Sequence, residues 1–482
     1  MTRLANRLLL YVFIFMLLEA VWSVPELNWE VALARTGPLG WIIASVAAAF
    51  ALLFLWLLRR RIIAGLQSIA ARATAVSTIS WFFGCFAAGM LLRFLWLVRY
   101  SAPLRSDYAT YFGLAKGLVD SHVYGSTGTG LAFWPPGYPF FLYALFSLFG
   151  VHSWIPFLGN AILFAGTLAA VGWLAKTTVD DSVARLATLL LVFWPCYFMS
   201  GELASKEMLI LCLIPVSLAL YLNSVLSASS PTRVLCLPLS GLAVGLMALT
   251  QPSLMLFPAV FLGYEILRLK SLASAFLRLV VVSLITALVI LPWTIRNHRV
   301  LGSWVPVSTN GGDVFYRANN DKANGGFTDG GAQSMSDMDE VSRSKLGFQL
   351  GKEWIRQHPG HFLVLALRKQ ILFLGDDATG AYETLKRGLG MGGIQYVAWK
   401  GLSNLSWWIL CLLMVLAILW NWRDPVLRRP EIGAVLLAIL YLYAMHSVFE
   451  SGGKYHVPLL GMFSLVASLC AFQGHVGQPK QS

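Results

Sequence analysis

Uncharged apolar runs of about twenty residues recur from one end of this 482-residue chain to the other. As a helix, a run of that length matches the hydrocarbon thickness of a bilayer. The chain is therefore read as a polytopic helical membrane protein, not as a soluble enzyme with one anchor. The runs are continuous rather than alternating, which argues against a transmembrane β-barrel. Composition agrees: 57% of residues are hydrophobic and 12% charged, at a mean hydropathy of +0.67, where soluble domains carry about 25% charged residues. Disorder, a collagen-like chain and a disulfide scaffold are excluded. The six cysteines (Cys85, Cys196, Cys212, Cys236, Cys411 and Cys470) all lie inside apolar runs. They read as small packing residues, with no disulfide and no zinc site.

The runs cover roughly 8–24, 39–58, 79–98, 153–175, 183–200, 208–227, 234–250, 252–267, 279–295, 405–421, 432–449 and 457–473, with two shorter ones at 136–150 and 361–374. Arg3 and Arg7 before Leu8–Leu18 resemble the start of a signal peptide. The run continues through Trp22 without a clean small-x-small site, so an uncleaved first helix is expected. Basic residues collect in cytoplasmic loops. That assigns the short loop with Arg59, Arg60, Arg61 and Arg72 to the cytoplasm, together with Arg268-Lys270-Arg278 and Arg423-Arg428-Arg429. An even number of crossings must separate any two such loops, and counting either short run as a span breaks the parity. Both are expected to be helices at the outer interface. The fold class is thus all-α, with about twelve transmembrane helices, two outer interfacial helices and a small periplasmic cap. The same placement accounts for the net charge of +13 (36 Lys+Arg against 23 Asp+Glu) without a nucleic-acid partner.

Domain bounds follow: 1–78 holds two extra N-terminal helices, and 79–295 a membrane core with its first outer loop at 99–152. Residues 296–404 form an outer cap, and 405–482 the last helices. In the cap, Asn310-Gly311-Gly312 and Asn324-Gly325-Gly326 read as turns, and Asp337, Asp339 and Glu340 precede a helix through Trp354.

Charges at the outer helix ends are the candidates for chemistry. Asp107 follows the helix at 79–98 and, walled by aromatics and lipid, suits a general base; a loop aspartate paired with Arg105 is the alternative. Glu202, Lys206 and Glu207 crowd one short connection, and ionisable groups near membrane depth are costly unless paired or functional. Arg296 and Arg299, and later Lys454, Tyr455 and His456, place basic groups at outer ends, where an anionic headgroup or phosphate is the natural partner. His358 and His361 have the wrong spacing for a helical i,i+4 metal pair and lack a third ligand, so no metal ligands are assigned. No cofactor is required by the residues, and a divalent metal is left open.

In order, these elements are Asp107-Tyr108, then Trp134-Pro135-Pro136-Gly137-Tyr138-Pro139, then Gly201-Glu202-Leu203-Ala204-Ser205-Lys206-Glu207-Met208. Next come Pro292-Trp293-Thr294-Ile295-Arg296-Asn297, Val307 to Gly312 and Ala318-Asn319-Asn320, and last Lys454-Tyr455-His456-Val457-Pro458. The ordered set, over about 79–470, resembles the GT-C membrane glycosyltransferases, in the branch of family 39 proteins, protein O-mannosyltransferases and lipid A aminoarabinose transferases. The resemblance implies transfer of a monosaccharide from a polyprenyl-phosphate donor to an acceptor hydroxyl or amine. It implies an active site on the periplasmic face of the cell inner (plasma) membrane. Asp107 would be the base and Glu207 a second acidic catalytic residue. Tyr108, Glu202, Lys206, Arg296, Arg299, Lys454, Tyr455 and His456 would bind substrate. Membrane lipid and a glycan, lipid or protein acceptor would be the other partners. The chain departs from the pattern at Tyr108, where many members are acidic, and at Trp134, where the aminoarabinose transferases have lysine. The alternative reading is a lipid-linked sugar flippase or transporter.

Overall fold

The computed structural model describes residues 2–33, 37–125, 130–269, 271–328, 335 and 337–473. Ten helices among the described residues are long and apolar enough to cross a membrane. They are α1 (Thr2–Leu33), α2 (Pro38–Thr74), α3 (Thr78–Tyr100), α6 (Ile155–Thr178), α9 (Lys206–Leu226), α10 (Ser230–Thr250), α12 (Leu272–Leu301), α17 (Ile394–Trp420), α18 (Pro430–Val448) and the 19-residue stretch Gly453–Ala471 that contains α19 (Leu460–Ser468). Between them lie α4 (Ser106–Ser121), α5 (Gly137–Phe149), α7 (Asp181–Val192), α8 (Pro195–Met199), α11 (Pro258–Arg268), α13 (Asn310–Arg317), α14 (Glu340–Gln357), α15 (Pro359–Gly375) and the short α16 (Thr379–Ala381), which runs into a π-helical turn, Tyr382–Gly388.

Two of the twelve expected spans are therefore not continuous helices, and proline is the cause in both. The run at 183–200 stops at Val192, and Trp194, extended before Pro195, separates α7 from α8. The run at 252–267 begins as a 3₁₀ turn, Pro252–Leu256, and becomes helical only from Pro258. Both pieces remain packed within the bundle: α7 lies against α2, α6 and α19, and α11 against α12 and α18. A third difference concerns the expected loop at Arg59–Arg72. It is the continuation of α2, whose 37 residues extend about 55 Å. Arg, Ala, Leu and Gln, all good helix formers, fill most of that stretch, no proline interrupts it, and its Leu66 and Ala70 pack on Leu186, Leu190 and Ala471.

The short run at 136–150 forms α5, and 361–374 forms α15, lying against α1 and α18. In the cap, Asp339 caps α14, accepting from the amides of Val341 and Ser342 at 3.0 Å each. Asn310-Gly311-Gly312 is not a turn; it opens α13. Its glycine serves close packing instead, since a Cβ on Gly312 would lie 1.8 Å from the carbonyl oxygen of Ser344 on α14. Gly325, at φ +94°, is the true turn of this region.

The cap is tied to the membrane bundle by polar contacts. Glu340 accepts from the amides of Leu131 and Ala132 at 3.2 and 3.1 Å and from the Thr309 hydroxyl at 3.1 Å. Lys369 of α15, with no exposed surface, donates to Asn319 Oδ1 and to the carbonyl of Val448, both at 3.0 Å. That second contact fixes the end of α18, from which the tip 449–456 departs.

Candidate active site

Asp107 sits in the first turn of α4, a helix that the glycine-spaced stretch did not announce. Residues Tyr108, Tyr111 and Ala115, at i, i+3 and i+7, bury one face of α4 on Tyr138, Leu142 and Phe146 of α5. Asp107, one residue off that face, is left at the rim with a third of its side chain exposed. Ser106 before it adopts φ +54°, a left-handed conformation that costs a non-glycine residue of order 1 kcal/mol and is found where surroundings impose it, functional sites among them.

Lys454 Nζ lies 3.2 Å from Asp107 Oδ2, although 347 positions separate them in sequence. The tip that carries Lys454 can approach because residue 453 is glycine: a Cβ there would fall 1.9 Å from the carbonyl oxygen of Asp376. Behind the pair, Glu207 is buried and accepts from the Ser205 hydroxyl at 2.6 Å. Asn160 of α6 holds this connection in place, donating to the carbonyls of Gly201 and Leu203 at 3.0 and 2.8 Å. A small cavity lies here, lined by Tyr108, Ser205, Glu207, Met208, Thr379 and Lys454 among others. Burial pushes the Asp107 carboxyl up, but Lys454, Lys206 and Arg387 outweigh it and hold the group below the ordinary carboxylate value. Asp107 is thus ionised at neutral pH. The Tyr108 phenol, buried and facing Glu207 and Glu383, is pushed well up and stays neutral.

Two residues of this cluster escaped the sequence reading. Glu383 and Arg387 come from the π-helical turn and pair at 3.4 Å. Glu383 lies within electrostatic reach of Lys454, Asp107 and Glu207, and burial raises its carboxyl. No motif surrounds them, and they lie in a polar stretch, 376–388, where other charges look the same in sequence.

Other expected site residues have partners of their own. His456 is wholly buried: Nε2 meets Asp377 Oδ1 at 2.9 Å, Nδ1 meets the Phe373 carbonyl at 2.5 Å, and the ring stacks on Trp407. It binds the tip to the bundle. The Arg296 guanidinium donates to the carbonyls of Leu131 and Tyr124 at 2.7 and 2.8 Å and lies over Trp293, so it holds the first outer loop. Glu202 accepts from the Ala102 amide at 3.1 Å, and burial lifts its carboxyl to about 7. Arg299 is exposed at the outer end of α12. Tyr455 bonds to Glu450 and stacks on His446. Asp107, Tyr108, Lys206, Glu207 and Lys454 are the expected residues brought to one place. The glycine-rich residues 126–129 lie outside the described residues.

No known family profile matches the chain, and no curated protein does. Solved structures do. An oligosaccharyltransferase from Archaeoglobus fulgidus, in complex with Zn and sulfate, aligns at a TM-score of 0.52 and 13% identity, covering 80% of this chain and 48% of that one. Its apo form aligns at 0.50 and 12%, covering 81% and 50%. The chain thus spans about half the length of that enzyme. ArnT from Cupriavidus metallidurans bound to undecaprenyl phosphate aligns at 0.44 and 12% identity over 82% and 77%, a likeness too low to argue from. At these identities what is shown is the fold: a multi-pass helical membrane protein with the GT-C architecture.

Proposed function

We propose that this chain is a membrane glycosyltransferase that moves a monosaccharide from a polyprenyl-phosphate donor to an acceptor hydroxyl or amine in one inverting displacement, at the outer face of the cell's plasma membrane. The observation that carries the reading is the meeting of Asp107 and Lys454 at 3.2 Å beside a buried Glu207. A base and a phosphate-seeking cation lie side by side, the cation lining the cavity beside Glu207, on the fold that an oligosaccharyltransferase also uses.

The chemistry follows from that arrangement. An acceptor O–H or N–H approaches the sugar C1 opposite the phosphate, and Asp107 takes its proton as the new bond forms. The C1–O bond to phosphate breaks, and its electron pair leaves with the polyprenyl phosphate. That leaving group is already a stable anion, so it needs positive charge rather than an acid, and Lys454 supplies it. No enzyme nucleophile is required. Glu207 acts on Lys454 electrostatically and helps keep the ammonium in the site. Proton removal of this kind contributes about 10²–10⁴-fold.

The test is direct. Purified protein is incubated with a panel of radiolabelled polyprenyl-phosphate sugars and membrane extract, and label in the acceptor fraction is followed. Asp107→Asn should lower transfer by about 10²–10⁴-fold. Undiminished label with this variant would remove the base from the scheme.

A further inference from the structure

The proposed donor brings an anion into a site where Lys454 and Arg387 are already engaged in ion pairs. Lys454 holds Asp107 at 3.2 Å, and Arg387 holds Glu383 at 3.4 Å. The two pairs share one environment: Lys454 also acts on Glu383, and Arg387 also acts on Asp107. Tertiary packing enforces this. A Cβ on Gly388, at the end of the π-helical turn, would fall 2.7 Å from the Cβ of Ala102, so the turn rests directly on the segment that leads into Asp107. Single π-helical turns recur at functional sites. Glu383 is 9% exposed, whereas Arg387 is 37% exposed.

We propose that donor binding is an exchange of ion-pair partners. The phosphate draws Lys454 from Asp107 and Arg387 from Glu383; the two cations clamp the phosphate, and both carboxylates are released. Asp107 is then free for the acceptor proton, and Glu383 becomes a positioning residue that accepts hydrogen bonds from hydroxyls of the transferred sugar. This rests on the function proposed above and adds Arg387 and Glu383 to it.

The exchange has a chemical purpose. Asp107 faces Lys454, Lys206 and Arg387, with Glu207, Glu383 and the phenols of Tyr108, Tyr111 and Tyr455 around it. A carboxylate so paired is a weak base. Once the phosphate has taken Lys454 and Arg387, Asp107 has lost two cations and gained an anionic neighbour, and its proton affinity rises. The base becomes competent only when a donor is present.

The experiment measures binding of radiolabelled undecaprenyl phosphate to the full chain in nanodiscs, with undecaprenol as the phosphate-free control. Wild type should prefer the phosphate by roughly tenfold or more, and Lys454→Gln and Arg387→Gln should each lose about that much. Asp107→Asn and Glu383→Gln should bind the phosphate about three- to tenfold more tightly than wild type, because no resident pair has to be broken. The deciding comparison is the double variants. The gain from Asp107→Asn should vanish in the Lys454→Gln background, and that from Glu383→Gln in the Arg387→Gln background. Gains that persist there would mean plain repulsion of the anion and would overturn the exchange, as would single variants that bind no more tightly than wild type. If a neutral variant fails to fold, Lys454→Arg and Arg387→Lys keep the charge, and the same cycles run against Asp107→Asn and Glu383→Gln should keep their coupling; additive cycles overturn it. A wild type that prefers phosphate but shows no coupling leaves the glycosyltransferase reading standing without the exchange. A wild type indifferent to phosphate removes both.

Discussion

Lys369 offers the sharpest check on how the cap is held. Its ammonium has no exposed surface and is met only by two neutral oxygens, Asn319 Oδ1 and the Val448 carbonyl, among its hydrogen-bond partners. Burial drives it down from 10.5 to about 7. A lysine lowered in this way binds fewer protons in the folded state than in the unfolded state between those two values. Stability therefore rises with pH across that window, and the full penalty stands at pH 7 and below. The gap of roughly three and a half pH units is equivalent to about 5 kcal/mol. Lys369→Met removes that penalty but orphans two buried acceptors, at about 1–3 kcal/mol each. The variant should match wild type near pH 6.5 and fall behind it by about 3 kcal/mol at pH 9.5. The assay is thermal unfolding of the detergent-solubilised protein at one scan rate from pH 6 to 9.5, read as the difference between the two proteins. Parallel curves over the whole range would show that the ammonium is not desolvated and would refute the reasoning.

Three further outcomes are expected. Lys454→Gln should move the acidic limb of kcat/KM for the donor to higher pH, because Lys454 is one of the cations that hold Asp107 down; an unmoved limb would put the base elsewhere. His456→Ala should cost about 3–5 kcal/mol of stability through the lost contacts with Asp377, Phe373 and Trp407, with donor KM unchanged in the folded fraction; a KM effect at full stability would return His456 to the substrate site. Gly312→Ala should loosen the crossing of α13 and α14 by about 1–3 kcal/mol, visible as faster proteolysis within 310–357, and unchanged cleavage would count against the close contact with Ser344.

What the sequence determined by itself was the solvent and the order of the chain. Long apolar runs can only be helices in lipid, and that physics is local, so α1, α2, α3, α6, α9, α10, α12, α17 and α18 and the last stretch were legible as elements, though not in their bounds. Local, too, was the crowding of charge at outer ends, which exposed Asp107, Lys206, Glu207 and Lys454. Proline marks were present in the sequence at Pro195, Pro252 and Pro258, yet apolar content outweighed them in a reading built on hydropathy.

Only the tertiary structure decided which of those charges meet. A basic residue at a helix end looks the same in sequence whether it reaches into a cleft, as Lys454 does, or folds back on loop carbonyls, as Arg296 does. His456 differs from Lys454 by two positions, but one short 3₁₀ turn sends the first into the bundle and the second to its mouth. Glu383 and Arg387 were invisible for the same reason: their nearness to Asp107 depends on Gly388 seating a π-helical turn against Ala102, nearly three hundred residues earlier, and no local pattern encodes a contact at that separation.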